Sequence, residues 1–283
     1  MESKSIWKGL AYGSTASMIG DIVTMPVDVT KTRLQLSGMG GSAAYSGFFD
    51  CLKSTVKKEG VGALWKGIEP AMWRQCSYGG LRYGLYAPIK NQLAPGQTEL
   101  PLHIKILAGG LSGTIAQAVA NPCDLVKVRM QADGMGGTKP RYRWFLGALA
   151  TIAKEDGVRG LYAGLSANVA RASSLAAAEM ASYDTLKPFV QEQFGVDGLA
   201  LHLTTANGAG FIAAFVANPF DVAKSRLMNG GNEYKGMIDV LGKTVKNEGV
   251  AALWKGFLPA WARVGPRVVI AFVVMEQLKE KFG

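Results

Sequence analysis

A ten-residue pattern occurs three times along the chain at almost equal spacing. The copies are "PVDVTKTRLQ" from Pro26, "PCDLVKVRMQ" from Pro122 and "PFDVAKSRLM" from Pro219, and they start 96 and 97 residues apart. Self-similarity at a fixed period indicates that one structural unit recurs, and it constrains the fold more than any single segment does. The sequence therefore predicts a protein built from three similar units.

A second pattern follows each copy of the first. The stretches "KKEGVGALWKG", "KEDGVRGLYAG" and "KNEGVAALWKG" each combine an acidic glycine turn with an aromatic-x-Gly triplet. Each unit then contains two long apolar helices around a shorter amphipathic one, in which Phe48, Leu52 and Val56 recur every four residues, as suits a helix on a membrane surface. We predict repeats at residues 1–98, 99–196 and 197–283 within one structural domain.

Hydropathy alone leaves the choice between a membrane protein and a soluble helical protein open. Two uncharged stretches, Ile106 to Cys123 and Leu203 to Phe220, are about as long as a membrane helix needs to be. Other stretches, such as Pro70 to Lys90, carry arginines in the middle. The repetition decides in favour of an all-α membrane protein, because small residues recur in the first helix of every unit and let helices pack closely in lipid.

The composition excludes several other classes of protein. The three cysteines form no metal-type pair and leave one unpaired in any disulfide scheme, so we expect free thiols and no metal site. The formal charge of +10 favours anionic partners, but the basic residues follow the repeat and form no nucleic-acid-binding patch. The segment "GAGFIA" fits a dinucleotide-binding pattern but follows no strand, so we expect no enzyme. The N-terminus resembles neither a secretory signal nor a cleavable presequence.

Each copy of the ten-residue pattern carries an acid and a base on one face of its helix. Asp28, Lys31 and Gln35 lie at offsets of three and seven residues, which places them within about 60° of one another around the helix. Ionisable groups at membrane depth are costly and normally pair around a cavity. If three such helices are arranged symmetrically, the acid of one repeat reaches the lysine of the next. The expected pairs are Asp28–Lys127, Asp124–Lys224 and Asp221–Lys31, a ring that would close one end of a pore.

Three copies of Pro-x-Asp-x-x-Lys-x-Arg, each followed by the acidic glycine turn and aromatic-x-Gly, resemble the mitochondrial carrier family over nearly the whole chain. The resemblance implies six transmembrane helices in a threefold pseudosymmetric barrel, three short matrix-side surface helices, and alternating access to one central site in the mitochondrial inner membrane. It also implies that the ring is a matrix gate. Gln35 and Gln131 fit the family's glutamine braces beneath that gate, whereas Met228 departs from the pattern.

The resemblance implies a second gate on the cytoplasmic side. Its acids and bases are Asp184 and Glu276 with Lys90, Lys187 and Lys279, because "YAPIK" has lost the acid that "YDTLK" and "MEQLK" retain. At most two pairs can then form, Asp184–Lys279 and Glu276–Lys90. We expect a weaker cytoplasmic gate, which favours the state open to the cytoplasm.

An arginine stands nine residues after each aromatic, at Arg74, Arg171 and Arg263. These positions match the family's substrate contact points, and the planar guanidinium suits carboxylate or phosphate. Further candidates for the same cavity are Gln75, Arg82, Arg267 and Glu179. For Glu179, a substrate contact and a structural counter-ion to an arginine remain equal alternatives.

The aromatic-x-Gly triplets are candidate lipid sites, since backbone amides at helix starts can hold phosphate groups. In this family they imply cardiolipin as a structural lipid. The residues concerned are Trp65, Lys66, Gly67, Tyr162, Gly164, Trp254, Lys255 and Gly256, with Ala163 weakening the middle site. We expect no cofactor and a monomer.

Two functions remain. Stretches such as "RQCSYGGLRYGLYAPIK" and "GFLPAWARVGPRVVIAFVVMEQLK" resemble the branch that holds the uncoupling proteins, the oxoglutarate/malate carrier and the dicarboxylate carriers. The leading hypothesis is exchange of small dicarboxylates of the malate, oxoglutarate or succinate type, with aspartate, phosphate and sulfate left open, held by the three arginines. The alternative is a proton leak activated by fatty acids and inhibited by purine nucleotides, with Asp21 as a proton acceptor.

Overall fold

The computed structural model describes residues 2–39, 45–94, 102–195, 198–230 and 233–282, and this part of the chain is predominantly helical. Repeat 1 contains α1 (Glu2–Leu36), α2 (Phe48–Glu59), α3 (Ile68–Arg74) and α4 (Gly80–Leu93). Repeat 2 contains α5 (Leu102–Ala132), α6 (Phe145–Glu155), α7 (Gly157–Gly160) and α8 (Leu165–Phe194). Repeat 3 contains α9 (Gly198–Asn229), α10 (Met237–Glu248) and α11 (Phe257–Phe282). A π-helical turn at Gln75–Gly79 joins α3 to α4, so each repeat has two long helical segments.

The three repeats form a closed ring. Within it, α4 packs along α5, α8 packs along α9, and the last helix α11 packs along the first helix α1. The second long segment of each repeat therefore lies against the first long helix of the next repeat. This all-α arrangement of six long segments agrees with the predicted threefold organisation. None of the helices within the described residues combines the length and the mean hydropathy that a membrane crossing requires.

The short helices α2, α6 and α10 are amphipathic, as the pattern predicts. In α2 the buried residues are Cys51 and Thr55, and the half-buried Phe48, Leu52 and Val56 flank them. The opposite face is lysine-rich and exposed. Burial of one stripe fixes each short helix against its repeat.

The first long helix of each repeat continues through its proline. Proline has no N–H, so it leaves the carbonyl four residues earlier without its helical partner. The Trp65 indole donates to the carbonyl of Ile22, four residues before Pro26, at 3.0 Å. The Trp254 indole donates to the carbonyl of Phe215, four residues before Pro219, at 3.2 Å. The tryptophan of the aromatic-x-Gly triplet thus replaces the hydrogen bond that the proline removes.

Candidate functional site

Three ion pairs join the repeats near the C-terminal ends of α1, α5 and α9. Lys31 Nζ lies 2.8 Å from Asp221, Lys127 Nζ lies 3.1 Å from Asp28, and Lys224 Nζ lies 3.0 Å from Asp124. All three aspartates are buried. The structure therefore contains the ion-pair ring that the sequence predicts, with every acid bonded to the lysine of the next repeat.

The three arginines that match the substrate contact points also contact this ring. Arg74 lies 2.5 Å from Asp124, Arg263 lies 2.8 Å from Asp28, and Arg171 forms an ion pair with Asp221. Each ring aspartate therefore holds a lysine from the following repeat and an arginine from the preceding one. The sequence places the arginines between two predicted gates, and the structure shows that they are part of the ion-pair ring itself. The reason is that successive repeats pack side by side, which brings each arginine within reach of the neighbouring acid.

These side chains surround a central cavity of about 270 Å³. Among its described lining residues are seven basic and four acidic side chains, an excess of three positive charges. The bases are Arg74, Arg171, Arg263, Arg267, Lys31, Lys127 and Lys224, and the acids are Asp21, Asp28, Asp124 and Asp221. A concave site with this excess attracts anions.

Asp21 connects three helical segments at the edge of the central cavity. Its Oδ1 accepts a hydrogen bond from Arg267 Nε at 2.8 Å, and its Oδ2 accepts one from Gln75 Nε2 at 2.5 Å. The sequence suggests separate roles for these residues, with Asp21 as a proton acceptor and Gln75 and Arg267 as substrate ligands. The structure brings them into one cluster, and Gln75 is not among the lining residues of the cavity.

Two predicted substrate residues lie away from the central cavity. Arg82 and Glu179 are exposed and do not line it, and Arg82 lies 5.9 Å from the ring centre of Tyr78. Each stands eight residues beyond its cavity arginine, roughly 12 Å along the helix. Two residues on one helix face can therefore lie at different depths, and neither Arg82 nor Glu179 is among the residues that line the described cavity.

The predicted cytoplasmic gate lies largely outside the described residues. The side chains of Glu276 and Lys279 belong to this undescribed set, so both expected pairs lack one member. Of the others, Asp184 is exposed, while Lys90 and Lys187 are half-buried.

The two glutamine braces contact hydroxyl groups of the neighbouring repeat. Ser225 donates to Gln35 Oε1 and Thr32 donates to Gln131 Oε1, both at 2.7 Å. Both bonds join neighbouring repeats, and Ser225 and Thr32 each follow a ring lysine. In the third position, where Met228 replaces glutamine, the residue that matches Thr32 and Ser225 is Val128. Val128 and Met228 belong to one buried apolar cluster. At this junction, apolar side chains therefore replace both the hydroxyl donor and the glutamine acceptor.

A buried arginine beneath the ring links each repeat to the next. Arg33 donates to the carbonyls of Gln131 and Asp133, to Thr55 and to Glu59. Arg226 makes the matching bonds to the Gln35 carbonyl, Thr244 and Glu248. In the remaining position, Arg129 donates to the Met228 carbonyl, and its Nη2 lies 2.5 Å from Asp156 without hydrogen-bond alignment. The sequence interpretation assigns these arginines no role, although they are the second base of Pro-x-Asp-x-x-Lys-x-Arg in every copy.

Lysines of the aromatic-x-Gly triplets add to these contacts. We call the glutamine, arginine and lysine contacts beneath the ion-pair ring the lower network. Lys66 donates to Glu59 at 2.7 Å and to the Asp133 carbonyl at 2.8 Å. Lys255 donates to Glu248 at 2.7 Å and to the Ser37 carbonyl at 3.0 Å. Burial raises the pKa of a carboxyl, but the hydrogen bonds from Arg33 and Lys66 outweigh burial and hold the pKa of Glu59 below its usual value. Bonds from Arg226 and Lys255 do the same for Glu248.

The triplet glycines allow the repeats to approach each other. Gly67, Gly164 and Gly256 all have φ near +80°, in the left-handed region. A Cβ added to Gly164 would lie 2.9 Å from Met228, and one added to Gly256 would lie 3.2 Å from the Lys31 carbonyl. Glycine is therefore required here for both backbone conformation and packing.

The comparisons with known proteins agree with this architecture. The family model described as "Mitochondrial carrier protein" matches residues 2–96, 98–194 and 196–283. The chain is 42% identical to mitochondrial uncoupling protein 1 of Arabidopsis thaliana over 98% of this chain and 94% of the relative. It is 42% identical to mitochondrial uncoupling protein 2 of the same plant, covering 94% and 91% respectively. It is 35% identical to the mitochondrial substrate carrier family protein ucpB of Dictyostelium discoideum, covering 99% and 97%.

The model of one carrier repeat thus matches three times and covers nearly all of the chain. In the structure, equivalent ring contacts join these three repeats. The chain belongs to the mitochondrial carrier family and is a multi-pass transporter of the mitochondrial inner membrane.

Proposed function

We propose that this carrier mediates a regulated proton leak of the uncoupling-protein type, with fatty acids as activators and purine nucleotides as inhibitors. The observation that carries the proposal is the likeness, over nearly the full length, to relatives named mitochondrial uncoupling proteins. The central cavity is compatible with it, because both classes of effector are anions and the cavity has an excess of positive charge.

The sharing of aspartates suggests how a bound anion opens the matrix side. Each ring aspartate is held by one arginine and one lysine. An anion that binds Arg74 competes with Asp124 for the guanidinium, so that Asp124 keeps Lys224 and the Gln117 amide but loses one of its two cationic partners. Anion binding thereby weakens the closed ring, and transport follows if the intermediate state binds the anion more tightly than the closed state does.

Exchange of small dicarboxylates is the second candidate. It is favoured by one specific observation, that the arginines of all three repeats line a single cavity and could hold two carboxylates at once. Malate, oxoglutarate and succinate fit this description. Aspartate, phosphate and sulfate would need a separate comparison.

Reconstitution in liposomes separates the two functions. The purified carrier is placed in empty liposomes and in liposomes loaded with malate, oxoglutarate, aspartate or phosphate. Proton flux in empty liposomes that rises with added fatty acid and falls with a purine nucleotide supports the leak. Uptake of labelled malate that depends on an internal anion, without such a flux, refutes the leak and supports exchange.

We further infer that the six long segments cross the membrane as a monomer and that cardiolipin binds at the aromatic-x-Gly turns. The lysines of these turns already bond to glutamates and carbonyls. The lipid phosphates would then bind backbone amides that follow Gly67, Gly164 and Gly256. Mass spectrometry of the intact carrier, with and without added cardiolipin, measures the number of chains in the particle and the number of cardiolipin molecules bound to it.

A further inference from the structure

Among the described residues of the central cavity, Arg267 is the arginine that is not bonded to the ion-pair ring. Arg74, Arg171 and Arg263 each contact a ring aspartate, which also holds a lysine. Arg267 instead contacts Asp21, and no lysine of the ring contacts Asp21 among the described residues. A ligand can therefore bind Arg267 without breaking any ion pair of the closed ring.

The Asp21 carboxylate is held between side chains of two other helical segments. Both of its oxygens are engaged, one by Arg267 at 2.8 Å and the other by the Gln75 amide at 2.5 Å. Its side chain is buried, and both Asp21 and Arg267 line the central cavity. Gln75 lies at the start of the π-helical turn and orients the carboxylate toward α11.

We propose that Asp21 sets the affinity and selectivity of the central site by acting as an internal competitor for the anion at Arg267. This inference rests on the proposed function only in that the central cavity binds anions. An incoming carboxylate or phosphate must displace Asp21 from Arg267 before it gains that contact. A second anionic group then reaches Arg263, one helical turn away on α11, whose partner Asp28 belongs to the ring. A ligand with one anionic group is satisfied at Arg267 alone, whereas a ligand with two also loosens the ring.

The test is the binding of malate and of ATP to the purified carrier, measured by calorimetry for four forms: wild type, Asp21→Asn, Arg267→Gln and the double variant. Releasing Arg267 adds a charge-assisted bond, so Asp21→Asn is expected to tighten binding about tenfold. In the Arg267→Gln background the same change should tighten binding only about twofold, because it then acts through the cavity charge alone. Arg267→Gln by itself should weaken binding little, since Asp21 already occupies that arginine.

The outcomes are distinct from those that test the proton leak. Equal effects of Asp21→Asn in the two backgrounds, weaker binding by Asp21→Asn, or no binding of either probe by any form overturns the inference. If Asp21→Asn does not fold, Asp21→Ala provides the same comparison. A carrier that shows no proton flux in liposomes, but binds malate more tightly after Asp21→Asn, would refute the proposed leak and leave the competitor role of Asp21 in place.

Discussion

The junction between repeats 2 and 3 differs from the other two junctions in most of the contacts that lie beneath the ion-pair ring. At the 1–2 and 3–1 junctions, a glutamine, a lysine and a buried arginine all bond across the repeats. At the 2–3 junction, Met228 stands in place of the glutamine and Ala163 in place of the lysine. Among the described residues of these three kinds, Arg129 alone still donates to the neighbouring repeat there. The ring pair Lys224–Asp124 is nevertheless present.

This difference separates two tasks that the repeats perform. The ring is kept in all three repeats, which is consistent with a role in transport. The lower network varies, and at the 2–3 junction an apolar cluster that includes Leu125, Val128 and Met228 replaces it. We therefore expect the 2–3 junction to depend on apolar packing and the other two junctions to depend on hydrogen bonds and charge.

A buried thiol provides a common measurement for this comparison. Cys51 is free and fully buried on α2, and burial raises its pKa to about 11, so it reacts slowly while the protein is folded. Cys76 is exposed and Cys123 is half-buried, so both are replaced by serine in every form and Cys51 is the thiol that is followed. The rate of labelling by a thiol-reactive dye during heating or denaturation then reports unfolding.

The largest effect is expected from the buried arginines. Arg33→Ala removes a fully buried side chain and leaves the Glu59 carboxylate with Lys66 as its one basic partner among the described residues. The change should cost about 3–5 kcal/mol of unfolding free energy. Arg129→Ala is the matched control at the 2–3 junction. It should cost less, because Arg129 makes fewer aligned bonds. Equal losses for the two variants would contradict the comparison.

The lysines give the next largest effect. Lys66→Ala and Lys255→Ala each remove bonds to a glutamate and to a carbonyl of the neighbouring repeat, which should cost about 1.5–3 kcal/mol each. The reverse change, Ala163→Lys combined with Asp156→Glu, should stabilise the 2–3 junction in the same unfolding assay. If Lys66→Ala has no effect, or if the reverse change destabilises, the lysine contacts are not the cause of the difference between the junctions.

Acidification should weaken the same two junctions. Glu59 and Glu248 have pKa values below their usual value of 4.5 in the folded protein. The unfolded chain therefore binds protons first, and the stability that these carboxylates contribute is present above pH 4.5 and lost as the pH falls through their folded pKa values. The unfolding midpoint measured between pH 7 and pH 3 should fall, and it should fall less steeply in the Glu59→Gln, Glu248→Gln double variant. An unchanged slope in that variant would remove these carboxylates from the explanation.

The smallest effect concerns the coupled pair at the 2–3 junction. Val128→Thr and Met228→Gln should each destabilise, because each buries a polar group without a partner, at a cost of about 1–3 kcal/mol. Together they restore the hydroxyl–amide pair of the other junctions, so the double variant should recover about 1 kcal/mol relative to the sum of the two changes. Strict additivity in the unfolding assay would mean that the two side chains do not replace the Thr32–Gln131 pair.

The parts of the site that the sequence predicts are those that repeat. The ring pairs follow from identical spacing in three copies, since each acid needs a base and each repeat has the same neighbour. The shared contact of Asp124 with Arg74 and Lys224 could not be predicted from the sequence. Spacing along one helix does not determine how far the helix of the next repeat is shifted along it. The contact between Asp21 and Arg267 depends on the packing of α11 against α1, and the two residues lie 246 positions apart in the sequence. The other repeats lack the same pair of residues, so the repeat pattern does not predict this contact.

The central claim is that anions bind in the cavity through arginines contributed by the three repeats. Its most direct measurement is the shift in thermal unfolding, followed at Cys51, when malate or ATP is added to the wild type and to Arg171→Gln, both in a background in which Cys76 and Cys123 are replaced by serine. A ligand that binds only the folded state raises the unfolding temperature. The account predicts a concentration-dependent rise in the wild type and little or none in Arg171→Gln. An equal rise in both proteins would place anion binding elsewhere and contradict the claim.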